Sequence, residues 1–150
     1  KHNLKASTME LSLSEIVNTA CEMPGKQDTI DYLKKNDSVP LRTILNIMYN
    51  KDIELLLPET APPWKKNAYV GVEGMLYKET RRLKIFVRGG GYDHISQVKR
   101  EQLFIKLLED IDNKDAQLLV DMIKQKPLKG LTRTVVAEAF PELNLTEKTN

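Results

Sequence analysis

Cysteine and histidine, the residues that most often carry disulfides, metal sites and nucleophilic catalysis, are scarce in this chain. Cys21 is the single cysteine among 150 residues, so an internal disulfide is excluded and nothing indicates a secreted, disulfide-stapled scaffold. The two histidines, His2 and His94, lie far apart, and no cysteine or histidine pair has the spacing of a metal site. The sequence therefore predicts a reducing compartment, no metal and no cofactor.

Long hydrophobic runs are absent as well. No apolar run approaches the roughly 18 residues that a membrane-spanning helix requires, and no signal-peptide pattern is present. Hydrophobic residues make up 41% of the chain and charged residues 29%, which is a globular composition. A chain of 150 residues is long enough for one ordinary domain and too short for two full ones. We therefore predict a single soluble domain without membrane contact.

The two ends of the chain differ in pattern from its middle. The first amphipathic stretch opens at Met9, so residues 1–8 are interpreted as a processed leader or a cloning remnant. Residues 144–150 are polar and are predicted to form a flexible tail. Residues 9–143 are predicted to form the single helical domain.

Apolar residues recur at helical spacing through most of the domain, and no segment shows sustained alternation. This pattern predicts an all-α fold of six or seven short helices with Leu83, Leu107 and Leu119 in its core. Helices over 97–111 and 114–125 are expected to form an antiparallel hairpin. The other expected elements are a helix from Ser12 or Ser14 to Pro24, a short one around Ile30 and Leu33, one capped by Ser38 with Pro40 in its first turn, one over 73–88 and one over Thr132–Phe140 with Thr132 as its cap.

Residues 57–72 interrupt the helical pattern. This segment contains three prolines, which prevent a continuous helix and favour extended conformations before them. We predict an ordered excursion. Trp64, which follows two of the prolines, is expected either to fold back over the core or to be an exposed anchor for a partner, and the large area of an indole favours the first.

The predicted helix over 73–88 has two different faces. One face carries Leu76, Thr80, Leu83 and Val87 at spacing i, i+4, i+7, i+11, and it can be buried. The glycine run 89–91 is expected to end the helix, because glycine adopts the left-handed conformation without a Cβ penalty. The opposite face is a cationic stripe with an aromatic residue at one end, formed by Tyr77, Lys78, Arg81, Arg82, Lys84 and Arg88.

Positive charge is concentrated in the middle of the chain. Residues 65–106 carry ten basic and four acidic side chains, whereas residues 1–60 carry seven and nine and residues 107–150 carry six and eight. The middle segment thus has an excess of +6 in a chain whose net charge is +2. This asymmetry predicts that the cationic stripe, with Trp64 as a secondary site, is a contact surface, although a solvated helix face would give the same pattern.

Two kinds of partner suit such a basic surface. The planar guanidinium group of arginine can pair with the carboxylates of an acidic protein. Alternatively, the basic side chains can bind the phosphates of DNA or RNA while the aromatic side chain stacks on a base. A protein partner is favoured because the net charge is small and the flanking segments are acidic. The glycine run lacks the spacing of a phosphate-binding loop, and no nucleophile stands in a recognisable motif, so the chain is predicted to be non-catalytic. The oligomeric state is left open.

An ordered succession of short motifs runs along the chain: LLPE (56–59), PPW (62–64), ETRRL (79–83), IFV (85–87), the glycine run (89–91), KRE (99–101), LFI (103–105), LLE (107–109), DAQLL (115–119), KGLT (129–132) and AFPEL (139–143). This succession resembles a family of small proteins of unknown function encoded by T-even-like tailed phages, including those of marine cyanobacteria. The resemblance spans about residues 11–143 and implies a phage origin, with the cytoplasm of an infected bacterial host or, alternatively, the virion as the location. No catalytic residues are established for that family. The hypothesis is a phage accessory protein that binds a host or phage protein, and the alternatives are a nucleic-acid-binding protein and a structural virion component.

Overall fold

The computed structural model describes residues 11–67 and 75–145, so the predicted leader and most of the predicted tail lie outside the described residues. Within the two described ranges the fold is all-α and contains no strand, which confirms the predicted class. The α-helices are α1 (Leu13–Cys21), α2 (Lys26–Lys35), α3 (Val39–Tyr49), α4 (Met75–Glu79), α5 (Gln97–Asp110), α6 (Asn113–Met122) and α7 (Arg133–Ala139), and the 3-10 helices are Thr80–Phe86 and Pro141–Leu143.

Side-chain caps fix where several of these helices begin. The Ser12 hydroxyl accepts the Glu15 N–H at 3.2 Å, while the Glu15 carboxylate accepts the Ser12 N–H at 2.8 Å, so Ser12 and not Ser14 caps α1. Ser38 and Thr132 cap α3 and α7 as the sequence predicted. Helix α6 is capped by Asp112, one residue before the first residue of the helix.

The core lies around α6, which contacts α1, α3 and α5. The three leucines predicted to be core are all buried, with Leu83 1% exposed and both Leu107 and Leu119 0% exposed. Phe86 and Phe104 meet edge to face with ring centroids 5.3 Å apart. Helix α7 packs on α2, so helices that are far apart in the sequence are in contact.

A buried tyrosine fastens the turn that precedes α7. The Tyr49 hydroxyl donates to the Leu131 carbonyl at 2.6 Å and accepts the Leu128 N–H at 2.9 Å, and burial raises the pKa of this phenol. The turn contains Gly130, whose φ of +88° is left-handed. Its Cα lies against the Cys21 carbonyl, so this turn also contacts the end of α1.

The predicted helix over 73–88 is wrong in its second half. Helix α4 ends at Glu79, and residues 80–86 continue as a 3-10 helix with three residues per turn. This period places Thr80, Leu83 and Phe86 on one buried face, so Phe86, 1% exposed, replaces Val87 in the core. The burial of this phenylalanine against Phe104 explains why the tighter helix is adopted.

The glycine run does not end this helix, because the backbone is already extended at Val87. Val87 instead forms an isolated antiparallel bridge with Leu55. Two hydrogen bonds flank it, from the Leu56 N–H to the Phe86 carbonyl at 2.7 Å and from the Arg88 N–H to the Glu54 carbonyl at 2.9 Å. The glycines form the turn that follows this bridge.

The described part of the proline-rich excursion, residues 57–67, lies against the core. Trp64 is half-buried and packs on it, which is the arrangement that the sequence favoured. The Lys65 N–H donates to the Glu109 carboxylate at 2.7 Å, and the Asn67 N–H donates to the Asn113 side chain at 2.8 Å. These bonds hold the segment near the junction of α5 and α6.

Candidate partner-binding groove

An open groove of about 650 Å³ lies between α3 and the 3-10 helix at 80–86. Helix α3 contributes Val39, Thr43, Asn46 and Ile47 to it. The exposed apolar surface on this side comes from Val39, which is 65% exposed, whereas Ile47 is 5% exposed. The segment Asp52–Glu54 also lines the groove. We refer to this surface as the α3 groove.

The opposite side of the α3 groove is basic. Arg81, Lys84 and Val87 all line it, because residues three apart fall on the same side of a 3-10 helix. Arg81 and Lys84 are exposed, and neither forms an ion pair with any residue in the described ranges. The Lys84 ammonium lies 6.0 Å from the centroid of the Tyr92 ring, at the limit of a cation–π contact. The groove thus combines the exposed apolar side chain of Val39 with two cations that have no carboxylate partner among the described residues.

Arg88 also lines the groove, but its guanidinium is occupied. It forms a bidentate pair with Glu54, with Nε 2.7 Å from Oε1 and Nη2 3.0 Å from Oε2. The hydrogen bond from Arg88 holds the pKa of the Glu54 carboxyl below its usual value, and Glu54 raises the pKa of Arg88 in return. This pair joins the two chain segments that form the isolated bridge and leaves Arg88 less available to a partner.

The other residues predicted for the contact surface lie outside the α3 groove. Arg82 is half-buried and pairs with Glu79 at 2.8 Å and with Asp110 at 3.8 Å. The Tyr77 hydroxyl donates to the Leu11 carbonyl at 2.8 Å, and its ring packs on the core. Lys78 is exposed on α4, and Trp64 packs on the core. The structure therefore divides the predicted stripe, and only Arg81, Lys84 and Arg88 meet in one groove.

Sequence reasoning missed the α3 side of the groove. Val39 is 65% exposed although it is apolar, and Ile47 lies further along the same side. The helical stripe in this segment indicates a core face through Leu41, Ile44, Leu45 and Met48. Val39 stands outside that stripe, immediately before Pro40, but a single apolar residue outside the buried face is common on protein surfaces, so the sequence did not mark it as a contact residue.

The loop after the basic side of the groove is held by a buried arginine. Arg100 is 4% exposed, and its guanidinium donates to the Tyr92 carbonyl and the Gln97 side chain, each at 2.9 Å, and to the Ile85 carbonyl at 3.3 Å. Ile85 belongs to the 3-10 helix, so Arg100 ties this helix to the loop. The groove side that carries Arg81 and Lys84 is therefore pre-positioned by buried contacts.

The glycines of the same loop have structural partners. The Gly89 N–H donates to both oxygens of the Asp93 carboxylate, at 2.9 and 3.1 Å. At Gly90, a Cβ would lie 2.1 Å from the Lys84 carbonyl oxygen, so only glycine permits this close approach. The glycine run thus supports the position of Lys84.

In residues 11–67 and 75–145, no three or more histidine, cysteine, aspartate or glutamate side chains are grouped so that they could hold a metal ion. None of the helices in these ranges is long and apolar enough to cross a membrane.

Comparisons with known proteins give one relationship. A search of curated proteins found no match, and a search of solved structures found none either. A family profile matches residues 16–130, which is more than half of the chain and includes α3, the 3-10 helix at 80–86 and α5. The chain therefore belongs to this family, a family of unknown function (DUF6433).

Proposed function

We propose that this protein is a non-catalytic accessory protein that binds an acidic segment of a partner protein in the α3 groove. The proposal depends on one observation: the same groove contains two exposed cations and an exposed apolar side chain. The cations, Arg81 and Lys84, have no carboxylate partner among the described residues, and the apolar side chain is that of Val39. A partner segment with apolar side chains could contact Val39 on the α3 side, and its carboxylates could pair with Arg81 and Lys84 on the basic side.

The two halves of the groove would contribute in different ways. Apolar surface removed from water stabilises a complex by roughly 25 cal/mol per Å². Charge complementarity at Arg81 and Lys84 speeds the encounter and selects acidic segments over basic ones. Because Arg100 and Gly90 hold the basic side in place, little ordering of the protein would oppose binding.

A protein partner suits the groove better than a nucleic acid. Asp52 and Glu54 line the same groove beside its three basic side chains, so the charged lining has a net charge of +1. This small excess suits a segment with few carboxylates better than a backbone with a phosphate at every nucleotide. Arg88 is already paired with Glu54, so only two free cations remain among the described lining residues, whereas nucleic-acid affinity depends on neutralising many phosphates. The motif resemblance supports a phage origin, and with it a host or phage protein in the cytoplasm of an infected bacterium as the partner.

The test is affinity purification from infected cells with the wild-type protein and with the double variant Arg81→Glu, Lys84→Glu. A matched control reverses two exposed lysines outside the groove, Lys66→Glu and Lys78→Glu, so that the net charge changes equally. We expect the groove variant to lose the partner and the control to keep it. Both variants should keep the wild-type melting temperature within a few degrees, because exposed charges contribute little to stability.

A photo-crosslinking residue at position 43, in the α3 side of the groove, identifies what occupies it. The crosslinked peptide should contain apolar and acidic residues. Retention of the partner by the groove variant, or a crosslinked peptide without acidic residues, would contradict the proposal. Loss of the partner after nuclease treatment would favour the nucleic-acid alternative.

A further inference from the structure

A second depression, of about 410 Å³, shares no lining residue with the α3 groove. It lies where two helices end, because Asn50 follows α3 and Ile123 follows α6. Three lysines line it, Lys51, Lys124 and Lys126. We refer to it as the lysine pocket.

The lysine pocket has an excess of positive charge. All three lysines are exposed, and within the described part of the chain none of them forms an ion pair. Glu59 is the one carboxylate in the described lining, which leaves a side-chain excess of two positive charges. The C-terminal ends of α3 and α6 offset roughly half a charge each, so about one positive charge remains unbalanced. An anion in the pocket would relieve the repulsion among the ammonium groups.

The backbone between two of these lysines is in an unusual conformation. Gln125 has a φ of +53°, which costs a residue other than glycine roughly 1–2 kcal/mol. The Gln125 side-chain amide donates to the Ile47 carbonyl at 3.0 Å and to the Ile53 carbonyl at 3.1 Å, and these bonds hold the turn. Lys124 and Lys126 are therefore placed on the pocket by a constrained backbone.

We infer that the lysine pocket binds a small phosphorylated molecule, up to the size of a mononucleotide, through its phosphate group. Lysine ammonium groups act as point charges toward phosphate, and three of them suit a dianion. The volume lies in the range of small-molecule sites. Leu55 and Leu57, both half-buried, provide apolar surface beside the lysines for the remainder of the ligand.

The inference is tested by titration calorimetry at low salt with adenosine monophosphate, inorganic phosphate, adenosine and a single-stranded oligonucleotide as probes. The test variant is Lys124→Gln with Lys126→Gln. The control is Lys34→Gln with Lys35→Gln, which removes two exposed lysines from the last turn of α2. Circular dichroism checks that both variants are folded, which we expect because the substituted side chains are exposed.

We expect adenosine monophosphate to bind and adenosine not to bind. Loss of two charge-assisted contacts should weaken binding by at least about tenfold in the test variant, while the control should stay within about twofold of wild type. Equal affinities for phosphate and adenosine monophosphate would show that the pocket recognises only the phosphate group of its ligand. Tighter binding of adenosine monophosphate would show that the pocket also contacts the nucleoside. The inference is overturned if neither phosphate-containing probe binds, if the control loses as much affinity, or if only a single-stranded oligonucleotide binds. The α3 groove is unchanged in the test variant, so the two proposals can fail separately.

Discussion

At the scale of single residues, the backbone conformation and surroundings of Gly130 disfavour any larger side chain at this position. It combines a left-handed φ of +88° with a close approach, since a Cβ would lie 2.2 Å from the Cys21 carbonyl oxygen. Either condition alone favours glycine, and the second cannot be relieved without moving the end of α1 or the turn held by Tyr49.

Gly130→Ala should therefore lower the free energy of unfolding by more than the roughly 1–2 kcal/mol of left-handed strain alone. Gly91→Ala is the matched control, because Gly91 has a φ of +99° but a Cβ added there would meet no described atom within 4 Å. Urea unfolding measures both. If Gly130→Ala and Gly91→Ala lowered the free energy of unfolding equally, the close approach to the Cys21 carbonyl would add no cost to the left-handed backbone strain.

Asp115 is a buried carboxyl that contacts the beginning of α1. It is 0% exposed, its Oδ1 accepts the Ser14 N–H at 3.0 Å, and its Oδ2 has no hydrogen-bond partner among the described residues. Burial raises the pKa of this carboxyl, and the nearby charges of Asp112 and Glu15 raise it further, against the hydrogen bonds from Ser14 that lower it. The folded state therefore holds this proton more tightly than the unfolded chain.

The stability of the protein should depend on pH through this group. Between the unfolded pKa of about 3.8 and the raised folded pKa of Asp115, the folded state binds more protons, so the contribution of this group to the free energy of unfolding falls as pH rises. The Asp115→Asn side chain cannot ionise, so the variant should lack this decrease in the free energy of unfolding. The stability of the variant relative to wild type should therefore rise as pH increases from the unfolded to the folded pKa of Asp115. Urea unfolding at several pH values measures the difference. Parallel pH dependences in the two proteins would contradict the assignment.

At the scale of elements, the described helices differ in how their faces are used. In α5, Leu107 is 0% exposed whereas Val98, on the same helix, is 68% exposed. The 3-10 helix at 80–86 uses a period of three to bury Phe86 and to place Arg81 and Lys84 beside the groove. The periodicity of an element thus decides which side chains remain for a partner.

Leu107→Ala should reduce the free energy of unfolding by about 2–5 kcal/mol, because it removes a fully buried side chain and leaves a cavity. Val98→Ala, in the first turn of the same helix, should change it by no more than about 0.5 kcal/mol. Chemical denaturation of both variants provides the comparison. A change under about 0.5 kcal/mol for Leu107→Ala would mean that this face of α5 is not core.

At the scale of the whole molecule, the chain should unfold as one unit. Trp64 is the single tryptophan, and it reports on the proline-rich segment, whereas far-ultraviolet circular dichroism reports on the helices. Because Trp64 packs on the core and the Lys65 amide is bonded to Glu109, the fluorescence and circular dichroism transitions should coincide in a predominantly helical protein. An earlier fluorescence transition would show that the segment opens on its own.

Much of the fold was predictable because it follows from local pattern. The apolar stripes of α5 and α6, and the caps Ser38 and Thr132, depend on neighbours within a few residues and were identified from sequence. Of the candidate site, Arg81 and Lys84 were found through their charge. The contribution of Val39 was missed, because it depends on which surface lies opposite α3 after folding.

The sequence by itself determined the all-α class, most of the helices, the buried leucines and the concentration of basic side chains in the middle of the chain, since each depends on composition or short-range periodicity. Only the tertiary structure decided which of those cations are free. Arg82 lies 3.8 Å from Asp110 of α5 in addition to its local pair with Glu79, and Arg88 is paired with Glu54, 34 residues earlier in the chain. The helix over 80–86 tightens to bury Phe86 against Phe104, a residue of another helix. Contacts between residues that are distant in the sequence determine the period of that helix and the pairing of Arg88 with Glu54. Such contacts cannot be predicted from the neighbouring residues alone.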